Sequence, residues 1–164
     1  MFQLFLFLHI LGAIAVFGPT FVFPIIASRA QKSPQHSHFA AELSETIESK
    51  VVLPGAVVQG ITGILVLGTI PGGIDLGGPG GRWLIVAVVL YAIAIGYAFA
   101  VQAPAAVKMV QLTGAMSGPP PAGAPAGPPP EIVATGKKLQ QGGMLLTVLI
   151  VAIVLLMVTR PTIG

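Results

Sequence analysis

Four apolar stretches of this chain run for about twenty residues or more without Asp, Glu, Lys or Arg, and no other feature constrains its fold as tightly. They are read as helices over residues 2–27, 51–70, 83–107 and 139–159. At a rise of ~1.5 Å per residue, ~20 apolar residues cross a hydrocarbon core of ~30 Å. The fold class that follows is an all-α membrane protein, a bundle of four transmembrane helices in a single domain. The first run has no basic residue ahead of it and is too long for the h-region of a signal peptide, so it reads as a retained helix.

Composition supports the same class. Charged residues make up 8% of the chain and hydrophobic ones 54%, with a mean hydropathy of +0.92, whereas soluble domains carry roughly 25% charged residues. The net charge of +3 comes from only eight Lys and Arg, which in so apolar a chain set membrane orientation rather than bind nucleic acid. The chain has no cysteine. That excludes disulfides, thiolate metal sites, thiol catalysis and covalently attached c-type haem.

The connections give the expected direction. Arg29, Lys32 and Lys50 lie between the first two helices, and Lys108, Lys137 and Lys138 between the last two; the opposite face has Arg82 and Arg160. The positive-inside rule then puts both termini outside and the two long loops in the cytoplasm of a bacterium, the protein lying in the inner membrane. Residues 38–50 pair Phe39, Leu43, Ile47 and Val51 at four-residue spacing with Glu42, Glu45 and Glu48, which reads as an amphipathic cytoplasmic helix leading directly into the second crossing, its glutamates forming a solvated face. The connection PGGIDLGGPGGR reads as a tight turn, and residues 117–131 as a Pro-rich linker.

A weak repeat runs through the crossings. Pro24 and Arg29 close the first as Pro104 and Lys108 close the third, while Lys50 and Gly55 open the second as Lys138 and Gly143 open the fourth. Two repeated helical hairpins would produce this pattern. Ala92, Gly96 and Ala100 on the third helix, Gly55, Gln59 and Gly63 on the second, and Gly143 with Thr147 on the fourth form lines of small or polar residues suited to close helix packing.

Chemistry concentrates at His9, the one ionisable side chain of the first crossing, roughly 10 Å along its helix. Counting inward from the outer ends puts His9, Thr62, Tyr91 and Val151 at one depth, with Gln59 a turn deeper. The expected polar layer is therefore His9, Gln59, Thr62 and Tyr91. It has three readings: a neutral imidazole holding the bundle in register, a haem b ligand, or part of a proton or metal-ion pathway. A second histidine ligand is missing at that depth, because His36 and His38 fall in the cytoplasmic loop, and Met157 lies closer to the surface. The HSH pair is a poor metal site, since alternate positions on a helix face apart. No catalytic constellation and no metal site are expected.

The motif LHILGAIAVFG followed by P-x-x-A-x-R, the closing IVLLMVTRP, the Thr62-Gly63 pair, Trp83 and Pro104 resemble a bacterial family of predicted four-helix integral membrane proteins of unknown function. That family is distantly similar to the copper-resistance protein D membrane domain and to HemJ-type protoporphyrinogen oxidase. The second resemblance implies that His9 occupies the position of a histidine near haem. The lysine that follows the Trp in that type is replaced here by the region of Val86 and Ala87, which argues against the oxidase activity. The absence of Cys and the scattered Met residues likewise leave copper transport without its ligands. The expected function is a non-catalytic subunit or scaffold of a membrane complex, in contact with lipid and with other membrane protein subunits. A haem-binding redox protein or oxidase using His9 stands as the alternative, and a small-molecule or copper transport component as the third reading.

Overall fold

The computed structural model describes residues 1–116 and 127–163. All its regular structure is helical. Seven α-helices, α1 (Phe2–Phe17), α2 (Phe23–Lys32), α3 (Ser37–Ile47), α4 (Leu53–Gly68), α5 (Arg82–Tyr97), α6 (Ala103–Ala115) and α7 (Pro130–Thr159), join into four long spans. These spans, Phe2–Lys32, Ser37–Gly68, Arg82–Ala115 and Pro130–Thr159, are each long and apolar enough to cross a membrane. The chain thus has two ends: a terminal end, with both termini and the connection after Gly68, and a basic end, with the other two connections.

Each span runs beyond the apolar stretch that defines it, always toward the basic end. The second begins at Ser37 and the fourth at Pro130, while the first continues to Lys32 and the third to Ala115. A span of 34 residues is about 50 Å long at ~1.5 Å per residue, well over the ~30 Å of hydrocarbon. Residues 38–50 are therefore the continuous lower half of the second span. The greater part of the Pro-rich stretch 117–131 lies outside the described residues; Pro130 and Glu131 form the first turn of α7.

The prolines shape the spans. Gly18 and Pro19 convert one turn of the first span to a 3₁₀ helix, and the Thr20 hydroxyl donates to the Phe17 carbonyl at 2.6 Å. In the second and third spans a single π-turn, Glu48–Val52 and Ala98–Gln102, immediately precedes Leu53-Pro54 and Ala103-Pro104. The cause is common to both. A proline ring collides with the carbonyl four residues back and has no N–H to give it, and a widened turn relieves that collision. Between the π-turns and the terminal end stand α4 and α5, each of 16 residues, so the two π-turns lie at the same level.

The interior is small and polar, and the exterior large and apolar. Among the described residues the buried apolar side chains are Val16, Ala56, Trp83, Ala87, Ala94, Ala105 and Ala106, whereas Phe7, Ile64 and Val158 point outward. Lipid tails are as apolar as Leu, so helices in a membrane associate through close packing of small residues rather than by hiding large ones. The small residues that make the contacts differ in part from those expected. Ala92, Gly96 and Ala100 all face outward, and Ala87 and Ala94 pack inside instead. On the fourth span it is Gly142, against Gln102 and Tyr97, that makes the close approach, not Gly143. On the second, Gly55 sits directly against the Val16 side chain as expected of a packing glycine.

At the terminal end α1 packs on α4 and α5 on α7; at the basic end α3 packs on α6, and α6 on α7. The connection 70–81 is a compact coil. Gly72 and Gly73 take positive φ, and Asp75 Oδ1 accepts the Gly77 N–H at 3.0 Å. The chain after α7 returns to it, with the Ile163 N–H donating to the Pro79 carbonyl at 3.0 Å.

Candidate functional site

His9 is placed on α1 facing α4, and its polar neighbours close a small circuit there. The Thr62 hydroxyl donates to the Gln59 carbonyl at 3.0 Å, leaving its oxygen to accept from His9 Nδ1 at 3.0 Å. The Gln59 amide donates to the His9 carbonyl at 2.9 Å and lies 3.1 Å from Nδ1 and 3.3 Å from Nε2. With the proton assigned to Nδ1, that nitrogen donates to Thr62 while the Gln59 amide donates to the His9 carbonyl. Gln59 is buried and is sandwiched against Gly12, whose missing Cβ would come within 2.6 Å of Oε1. A Cβ on Gly63 would lie 3.2 Å from His9 Cε1. Glycine at both positions lets α1 and α4 approach closely enough for the circuit to form.

Tyr91, at the depth expected, joins a different contact. Its hydroxyl donates to the Ala56 carbonyl, and its ring lies 3.3 Å from where a Gly60 Cβ would be. It ties α5 to α4 without touching the imidazole circuit. Val151 on α7 faces outward.

The basic end holds a second clasp of the same kind, built from residues expected in a loop. His38 is in α3, and its Nδ1 lies 3.2 Å from Thr113 Oγ1 on α6. Thr113 donates back along its own helix to the Met109 carbonyl at 2.8 Å, as Thr62 does on α4. A Cβ on Gly114 would meet His38 Cε1 at 3.1 Å. The other ring nitrogen, Nε2, faces Glu42 Oε1 at 3.4 Å. His36 is exposed in the short turn before α3. The signal available in the sequence was the Thr-Gly pair, which stands at 62–63, at 113–114 and again at 135–136, where Thr135 is buried.

The glutamates of residues 38–50 do not form a uniform solvated face. Glu48 is only 8% exposed, whereas Phe39 is 65% exposed. The apolar side of this stretch looks outward and one carboxylate looks inward. Farther along, Lys108 and Glu131 form an exposed ion pair of 2.7 Å joining α6 to α7. No group of three or more His, Asp or Glu able to hold a metal occurs among the described residues.

A family model described as a predicted integral membrane protein (DUF2269) matches residues 3–161. No curated protein and no solved structure matches the chain.

Proposed function

We propose that this chain, which belongs to the DUF2269 family of predicted integral membrane proteins, is a non-catalytic subunit or scaffold of a membrane complex. The observation that carries the reading is the closed circuit at His9. Both ring nitrogens, the Gln59 amide and the Thr62 hydroxyl are engaged with one another across α1 and α4. Side chains so committed hold helices in register. A haem on His9 would require the Gln59 amide to move off the ring, which it approaches at 3.1 Å from Nδ1 and 3.3 Å from Nε2, and Gly63 already closes on the edge of the ring.

Two outward surfaces support a partner. The line Ala92, Gly96 and Ala100 is the kind of surface on which another helix packs closely, and it is unused within the bundle. The exposed Phe39, Leu43 and Val51 on the second span give a second apolar face. In this reading the protein lies in a bacterial inner membrane with both termini outside, the six basic residues of the basic end remaining in the cytoplasm.

Purification in mild detergent tests the reading. A larger assembly containing a second protein is expected, and Gly96→Leu should release it. A monodisperse monomer, or a Soret absorption band lost in His9→Ala, would overturn it. A reporter fused at Gly164 tests the orientation: activity on the cytoplasmic side would reverse it.

A further inference from the structure

Of the three Thr-Gly pairs, the one at 135–136 has no imidazole. Against Gly136 lies the Met109 side chain of α6, its Cε 3.5 Å from where a Cβ would be. Thr135 is only 6% exposed, yet no hydrogen bond engages its hydroxyl among the described residues. Thr62 and Thr113, by contrast, both donate back to their own helices. Nor is the Thr135 oxygen sealed off. The residue lines an open groove of about 330 Å³ between the third and fourth spans. A hydroxyl so placed has one donor and two acceptor sites to offer whatever fills the groove.

The charges around the groove favour an anion. Glu131, Thr135 and Lys138 share one face of α7, and Pro104, Ala105 and Lys108 of the third span form the opposite wall. Two cations against one carboxylate leave the lining net positive. Glu131 is held by Lys108, but both partners are exposed, so parting them costs little. Lys138 is exposed and has no ion-pair partner among the described residues. Two ammonium groups and a hydroxyl are donors that the several oxygens of a phosphate accept. Pockets that take small organic groups begin at ~300 Å³, so a phosphate carrying a substituent has room. The level of the groove identifies the source. Lys108 is the first charged residue past the apolar stretch 83–107, and Lys138 the last before 139–159. Both stand where hydrocarbon gives way to headgroups, and basic pockets between spans at that level take lipid phosphates.

We infer that this groove binds the phosphate headgroup of one anionic phospholipid, through Lys108, Lys138 and Thr135. The test is native mass spectrometry of the full chain in detergent, titrated with phosphatidylglycerol or phosphatidylcholine. One phosphatidylglycerol per chain should be retained, ~5-fold or more tightly than phosphatidylcholine. Lys138→Gln and Lys108→Gln should each weaken it by ~5-fold, the effect of one basic residue beside an anionic lipid. Thr135→Val should weaken it by ~3-fold, the share of one hydrogen bond. Glu131→Gln removes the competing carboxylate and should tighten binding instead, a gain that loss of structure would not produce. Lys50→Gln, exposed and outside the groove, should leave it unchanged. An excess of inorganic phosphate should not displace the lipid. Circular dichroism checks that each variant remains helical; both groove lysines are exposed, and either variant suffices. Equal retention of the two lipids would overturn the inference, as would unchanged binding in the lysine variants. An equal loss in Lys50→Gln would overturn it in favour of a diffuse basic surface. Displacement by inorganic phosphate would overturn it in favour of a site for free phosphate.

Discussion

The two histidine clasps are built alike and placed differently. In each, an Nδ1 reaches a threonine hydroxyl, at 3.0 Å for His9 and 3.2 Å for His38, and a glycine follows the threonine where the ring edge would otherwise collide. Around His9 the remaining partners are an amide and backbone carbonyls within an apolar span. Around His38 the remaining partner is Glu42, and the ring is 34% exposed. The first clasp has no alternative in hydrocarbon, because a released imidazole finds no water. The second can trade its protein partners for solvent. Two identical contacts should thus differ in what they contribute.

The sharpest way to break this comparison is to fill the glycines. Gly63→Leu should cost about 2–3 kcal/mol, the range of overpacking in a site that cannot relax. Gly114→Leu should cost under ~1 kcal/mol, because His38 can swing outward. Unfolding by denaturing detergent measures both, and equal losses would erase the distinction. Next in size is removal of the rings. His9→Leu should cost ~1–2 kcal/mol, as expected for interhelical hydrogen bonds in membranes, whereas His38→Leu should cost ~0.5–1 kcal/mol. A larger loss at His38 would mean that the basic end is the stronger lock. The smallest effect is ionic. With His38 protonated, raising salt should weaken the contribution of Glu42, read as the difference between wild type and Glu42→Gln, from a starting value below ~1 kcal/mol. The same salt series should leave His9→Leu unmoved.

Much of the fold could be read from hydropathy, because a run of uncharged residues must satisfy its own backbone in lipid and does so as a helix. The helix ends could not be read that way. Hydropathy marks where lipid stops, whereas the helix stops where its own hydrogen bonds stop, so residues 130–138 fall outside the apolar run although they open the same helix, while the amphipathic spacing of 38–50 does show a helix running into the second span. His9, Gln59 and Thr62 come together from depth alone. Depth does not give direction around the helix axis, and for that reason Tyr91 at the same level meets Ala56 rather than the imidazole. His38 was hidden because a polar neighbourhood reads as a loop.

Glu48 escaped for a more specific reason. It precedes Gln59 by eleven residues, about three regular α-helical turns, which would put both on the face toward α1. The π-turn between them holds one residue more than the regular spiral and rotates what lies beyond it by about 100°. Glu48 therefore looks toward the third span while Gln59 looks toward the first.

That widened turn makes the bundle sensitive to the count of its residues as well as to their kind. Removing one amino acid from 48–52 would keep the composition, the hydropathy and nearly the length of the second span. It would also restore an unbroken α-helical spiral, and the two halves could no longer face their present neighbours together. With α4 seated on α1, the contacts that α3 makes with α6, His38 to Thr113 among them, would be swung outward and lost. A one-codon deletion there should accordingly do more harm than most substitutions at the same positions, and the matching deletion in 98–102 should do the same to the third span.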